Sequence, residues 1–196
     1  MCDKIITFKE SFIIEKPNYT FDDKSWVYLP KFYLPYRYIL GTKGENPLIC
    51  IGINPSTAAP GDLDNTLKSV ERIAKANGYD SFLMLNISPQ RATNPNNMVH
   101  TLNSVLISSN IEAFEYALEK SKSKHIWLAC GTLIRKRGYL FEILKEFFSI
   151  STRYKAKWLV AGALSQNGDP HHPLYLKKDE QLKAFDICSY IKNYEK

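Results

Sequence analysis

The chain has 196 residues, 44% hydrophobic and 23% charged, with a net charge of +6 and a pI of about 9.0. That composition excludes a disordered or fibrous chain and is large enough for a core that needs no disulfide or metal staple. The positive charge suits an anionic partner such as nucleic acid or a nucleotide, and equally suits plain solubility.

Residues 1–47 are rich in Tyr, Phe and Pro and read as short strands and turns. They include a hairpin around Tyr36–Leu40, with Gly41–Gly44 as its turn. This N-terminal β-rich extension is expected to pack on an α/β core over residues 48–196. From Leu48 a regular rhythm begins. Leu48–Ile53 is a continuous apolar run, the mark of a strand buried on both faces. Thr66–Ala76 has helical spacing and stops at Asn77-Gly78. Phe82–Leu85 is a second buried strand, ending at Asn86. Val105–Lys120 is a second helix, His125–Cys130 a third strand, and Tyr139–Phe148 a third helix. Lys157–Ala161 is the fourth strand. A loop over Gly162–Pro173 and a last helix from about Asp179 to Lys192 complete the chain. Alternating strands and helices imply a three-layer α/β/α domain around a mostly parallel, four-stranded sheet.

Four cysteines, Cys2, Cys50, Cys130 and Cys188, fit no zinc spacing. Cys50 and Cys130 sit in apolar runs as small core residues, which points to a reducing compartment and a cytoplasmic protein. The start MCDKIITFKE lacks the apolar core of a signal peptide, and no run is long enough to span a membrane, so no membrane partner is expected. Lys and Arg gather at 120–124, 135–137, 153–157 and 177–183. Each group reads as a solvated helix end or as part of a basic patch.

Ligands of open parallel sheets bind outside the carboxyl ends of the strands, and there the polar residues of this chain collect. Gly52-Ile53-Asn54-Pro55-Ser56-Thr57 follows the first core strand. Gly52 permits close backbone approach, Pro55 holds Asn54 extended, and Asn54 offers a donor and an acceptor to a water or a base edge. Ser56 or Thr57 can cap the next segment and present amides to an anion. Asn86 ends the second strand and can pair with a base edge, while Arg91 can fork onto phosphate and Thr93 follows it. The last loop offers His171 and His172, of which adjacent placement lets only one face a common site. His172, fixed by Pro173, can stabilise a developing anion. Asp64 reads first as a helix cap and second as a general base. Asp169 with the two histidines is too short a cluster for a metal site, and no Gly-rich phosphate loop is present. No metal and no cofactor is expected.

These motifs, in this order, resemble a known family. Asn54-Pro55-Ser56-Thr57-Ala58, Asp64-Asn65-Thr66, Asn86 with Arg91-Ala92-Thr93, and His172-Pro173-Leu174-Tyr175-Leu176 resemble the bacterial and phage domain-of-unknown-function family sixteen-forty-three, over residues 37–178. Asn65 stands where that family has Pro. More remotely, Gly52-Ile53-Asn54-Pro55 resembles the Gly-Ile-Asn-Pro-Gly of the mismatch-specific branch of the uracil-DNA glycosylase superfamily, with Ser56 in place of the last Gly. Arg91-Ala92-Thr93 is similar to that branch's Arg-x-Thr, and the strand ending in Asn86 to the uracil-reading element of the main branch. His172-Pro173-Leu174 is similar to the His-Pro-Ser-Pro-Leu loop, shortened by its inner Ser-Pro.

The resemblance implies a uracil-DNA-glycosylase-like fold and a nucleic-acid or nucleoside partner. In it Asn54 holds the attacking water, Asn86 binds the base and His172 stabilises the leaving oxyanion, with Tyr79, Phe82 and Tyr175 as aromatic contacts or, on the plainer reading, core residues. Two alternatives stand beside it. One is a non-catalytic nucleic-acid or nucleotide-binding domain on the same fold. The other is a small-molecule hydrolase using Asp64 with His172, which a short contact between the two would favour.

Overall fold

The four apolar runs form the centre of a single sheet, because a strand with no polar face must be covered on both sides. The structure, a computed structural model, describes residues 4–16 and 19–194, so Cys2 lies outside the described residues. The central strands are β3 (Pro47–Gly52), β4 (Ser81–Asn86), β5 (His125–Leu128) and β6 (Lys157–Ala161). All pair in parallel, with β3 between β4 and β5, and β6 outside β5.

Among the described residues the sheet has seven strands rather than four, in the order β1-β2-β4-β3-β5-β6-β7. The three additional strands are β1 (Trp26–Leu29), β2 (Ile39–Thr42) and β7 (Leu182–Ala184), all antiparallel to their neighbours. They are edge elements of three or four residues, too short to carry a readable alternation. The expected turn at Gly41–Gly44 is also corrected, because Gly41 lies inside β2. A Cβ on it would fall on the Phe82 carbonyl oxygen, so glycine is what lets β2 approach β4. The expected last helix from Asp179 is replaced by β7 and a shorter α4 (Ile187–Tyr194). Asp186 sets the start of α4 by accepting from the Ser189 amide at 2.9 Å.

Strand alternation sends two sets of side chains to opposite faces. Leu48, Cys50, Phe82, Met84 and Trp127 meet Leu67, Val70, Ile73 and Ala74 of α1 (Asn65–Ala76). Ile49, Ile51, Leu83, Leu85, Ile126 and Leu128 meet α2 (Ser104–Lys120), α3 (Gly138–Arg153) and α4 on the other face. There Phe114 of α2 stacks on Phe147 of α3, ring centroids 4.2 Å apart. Each such buried side chain contributes about 1.5–3 kcal/mol relative to exposure. The starts of α1 and α2 are capped by side chains. Asp64 accepts from the Leu67 amide at 2.8 Å and Asn103 from the Val105 amide at 2.8 Å, worth about 1 kcal/mol each.

The chain runs outward from β3 to β4, then crosses back past β3 to β5 and on to β6. A right-handed crossover in each direction requires helices on opposite faces, which is how α1 and the α2/α3 pair are arranged. The reversal falls between β3 and β5, and the crevice beyond their carboxyl ends is where such a sheet takes a ligand. Among the described residues, no helix is long and apolar enough to cross a membrane.

Candidate functional site

Beyond the carboxyl end of β3 the backbone ladder continues into the loops, with Ile87 N–H to Gly52 O at 2.9 Å and Ser88 N–H to Ile53 O at 2.8 Å. This holds Asn54 beside Asn86. Gly52 makes room for the second of these, since a Cβ there would lie 2.8 Å from Asn86 Oδ1. Asn86 is 1% exposed, and its Nδ2 has no hydrogen-bond partner among the described residues. Its backbone is fixed from behind, where Asn110 Nδ2 donates to the carbonyls of Asn86 at 2.8 Å and Ile87 at 3.0 Å. Asn54 Nδ2 donates to Ala92 O at 2.5 Å, which orients the side chain and leaves Oδ1 without a protein donor among the described residues.

Asp64 has both oxygens occupied, one by the Leu67 amide and the other by Ser56 Oγ at 2.5 Å. It is a cap that also anchors the loop after β3. His172 sits against Gly131, at the carboxyl end of β5, where a Cβ would be 3.3 Å from His172 Cβ. His172 Nδ1 accepts from the Leu174 amide at 3.4 Å, so the ring proton belongs on Nε2. Burial pushes the imidazole pKa down, against a smaller upward pull from Asp64. The ring is therefore neutral at physiological pH and offers an N–H donor. No hydrogen bond or ion pair joins Asp64 to His172 among the described residues.

A cavity of about 190 Å³ at this point is lined by eight of the residues expected from sequence: Gly52, Ile53, Asn54, Ser56, Asp64, Asn86, Thr93 and His172. The others lie elsewhere. Pro55 is buried beneath the loop and Thr57 is exposed, neither lining the cavity. His171 and Tyr175 line an adjoining cavity of about 480 Å³ that shares Leu133 and His172 with the first. Tyr175 is 77% exposed, its ring 6.0 Å from that of His172.

Arg91 stands behind the wall rather than in it. Its guanidinium donates to Leu34 O at 3.0 Å, to Ser56 O, and to Tyr28 Oη at 3.0 Å, and it stacks 4.5 Å from the Tyr33 ring. All three nitrogens are thus engaged, so Arg91 braces the loop instead of presenting a free fork to phosphate. The basic clusters are likewise dispersed. Residues 120–124 and 153–157 precede β5 and β6, at the sheet edge opposite the cavity, whereas 135–137 follow β5.

Two functional elements escaped sequence reasoning. Arg37, in the apolar run Tyr36–Leu40, is 2% exposed and lines the 190 Å³ cavity. The signal was there, a lone charge inside a run that reads as a buried strand. The second is the clamp on the last loop. Asp169, fully buried, accepts from Arg135 Nε at 2.8 Å and Nη2 at 3.0 Å, and from Tyr190 Oη at 2.9 Å. The loop that carries His172 is thereby fixed to α4.

The fold and cavity define an α/β domain with a cleft at the carboxyl ends of its parallel strands, near the point where the strand order reverses. Within that class, the chain belongs to the DUF1643 family, described as protein of unknown function, whose model matches residues 37–174. No curated protein and no solved structure matches the chain.

Proposed function

We propose that the cavity receives a nucleobase, and that the domain is glycosylase-like, binding or acting on a base in DNA or in a nucleoside on a three-layer α/β/α fold. The observation that carries this is Asn86, an amide enclosed by the protein yet left without a partner for its Nδ2. Burying an unmade hydrogen bond costs about 1–3 kcal/mol, and a ligand edge with one acceptor and one donor would recover it. The cyclic amide edge of a nucleobase has that pattern.

The rest of the chemistry follows from the same walls. Cleavage of an N-glycosidic bond passes through a cationic sugar, so a weakly activated water suffices if it is well placed. Asn54 Oδ1, oriented by Ala92, accepts from such a water without acting as a strong base. The neutral His172 donates from Nε2 to the oxygen on which charge develops as the base departs, an arrangement that needs no proton transfer to be effective. The base must leave the helical stack to enter so small a pocket. Tyr175, exposed at the neighbouring cavity, is positioned to contact what remains outside.

A second reading is a nucleotide-binding domain without catalysis. It is favoured by Asp64, the one carboxylate among the lining residues, whose two oxygens are both occupied, so that no base stands ready beside the water. The hydrolase reading has no support of this kind, since no hydrogen bond or ion pair joins Asp64 to His172 among the described residues.

Labelled single- and double-stranded DNA carrying uracil, mismatched thymine or modified bases, scored for alkali-sensitive abasic sites, separates the readings. The expected outcome is excision by the wild type and a loss of about 100-fold or more in Asn54→Ala. Salt-sensitive binding without excision would select the non-catalytic reading. Neither would overturn both.

A further inference from the structure

Among the described residues, Arg37 has one of its guanidinium nitrogens in use, Nη1 to Ala58 O at 2.9 Å. Its Nε is buried without a partner, and Nη2 has none among the described residues. Among the described residues no carboxylate forms an ion pair with it. Asp64 is the carboxylate whose charge acts on it, and Asp64 is held by Ser56 and Leu67. The Arg91 charge repels that of Arg37, and the Tyr28 hydroxyl, to which Arg91 donates, is neutral, its pKa pushed up to about 12 by burial. Burial and the Arg91 charge together push the Arg37 pKa down to about 9, which still leaves it cationic at neutral pH. A buried cation with open donors is costly, and a ligand, an ion or an internal water completes it; an oxyanion meets both its charge and its open edge.

The empty edge, Nε with Nη2, is the same edge by which Arg135 grips the Asp169 carboxylate. It matches two oxygens of one anionic group. The start of α1 adds to the effect, because Thr66 and Leu67 line the same cavity and the positive end of the helix dipole faces it.

We propose that Arg37 anchors an oxyanion in this cavity, and that where the ligand carries a base, the oxyanion is its phosphate. The second clause rests on the nucleobase reading; the first does not. The site would then take a nucleotide, or a nucleotide unit within a strand, in preference to a neutral nucleoside. Arg37 is the binding residue for that group, while Arg91 supports the wall behind it.

Calorimetric titration of the full chain at low salt tests this. The probes are inorganic phosphate, the common nucleosides, their 5′-monophosphates, and a short single-stranded oligonucleotide, each against the wild type, Arg37→Met and Arg37→Lys. We expect at least one monophosphate to bind about 10-fold or more tightly than its nucleoside. Arg37→Met should erase that ratio and Arg37→Lys keep part of it. Circular dichroism checks that the variants fold; should Arg37→Met fail, the wild-type ratio and the lysine variant decide. Tighter binding of the oligonucleotide than of any monophosphate would identify a strand phosphodiester as the source. Equal binding of nucleoside and monophosphate would overturn the proposal and leave the base reading standing. Arg37-dependent binding of inorganic phosphate, with no contribution from any base, would uphold the proposal and remove the base reading. Binding of no probe would sink both.

Discussion

Two buried polar regions flank the last loop of this protein, and they are built on opposite principles. In the clamp, Asp169 is wholly enclosed and receives three hydrogen bonds, from Arg135 Nε, Arg135 Nη2 and Tyr190 Oη, while Arg135 also donates to Asn167 O at 3.0 Å and packs 4.8 Å from the Tyr194 ring. In the cavity that His172 of the same loop lines, Arg37 and Asn86 are buried nearly as deeply, yet Arg37 Nε and Asn86 Nδ2 have no partner among the described residues. The first region is what folding alone produces, a network in which every member is satisfied. The second departs from it in the way a prepared ligand site does. The difference separates two arginines that a sequence cannot rank: one holds the structure, the other waits on something outside it.

The comparison breaks most clearly at the clamp. Asp169→Ala removes the acceptor for Arg135 and Tyr190 and leaves a hole in a buried network. Loss of one partner in a buried pair costs about 3–5 kcal/mol. The Arg135 side chain is 39% exposed and can turn to water, so we expect the lower end, about 3 kcal/mol, measured by denaturant unfolding. A loss below about 1 kcal/mol would mean that Asp169 does not hold the loop. Asn86→Leu is the counterpart in the cavity. It replaces an unsatisfied amide with an apolar group of similar shape, so unliganded stability should change by no more than about 1 kcal/mol. Ligand binding, read by the same titrations, should be lost. A destabilisation equal to that of Asp169→Ala would make Asn86 part of the scaffold instead.

The features legible in the sequence are those decided locally. The strand over Lys157–Ala161, the end of β4 at Asn86 and the cap at Asp64 each follow from a short apolar run or a single side chain beside its own backbone. The convergence of Asn54, Asn86 and His172 followed from one further rule, that loops after parallel strands meet at one edge of the sheet. What escaped was decided at long range. Gly41 reads as a turn residue until β4 lies against it. Arg91 reads as a phosphate ligand until Leu34, Ser56 and Tyr28 take up its donors. Arg37 reads as no more than a lone charge in an aromatic stretch until the sheet brings residue 37 to the cavity at the end of β3. Asp169 belongs to Arg135 and Tyr190, 34 and 21 residues away, and no spacing rule joins the three.

The smallest expected effect sharpens the comparison through pH. His172 lies between the two regions, carried on the clamped loop and turned to the cavity. Its pKa is lowered in the folded chain, chiefly by burial, with Asp64 pulling weakly the other way. The unfolded chain therefore takes up the proton first as pH falls, and stability declines below about pH 6.5, the unperturbed value for histidine. His125 shifts in the same direction, through burial and the Lys157 charge, so the wild-type slope contains both. His172→Asn should leave the His125 share and flatten the rest, measured as unfolding free energy between pH 5.5 and 7.5. A bound oxyanion beside His172 would favour its protonated form and reduce that slope in the wild type, whereas a neutral ligand would deepen it. An unchanged slope in His172→Asn would show that the imidazole is not held neutral by the fold, and the donor role assigned to its Nε2 would fall with it.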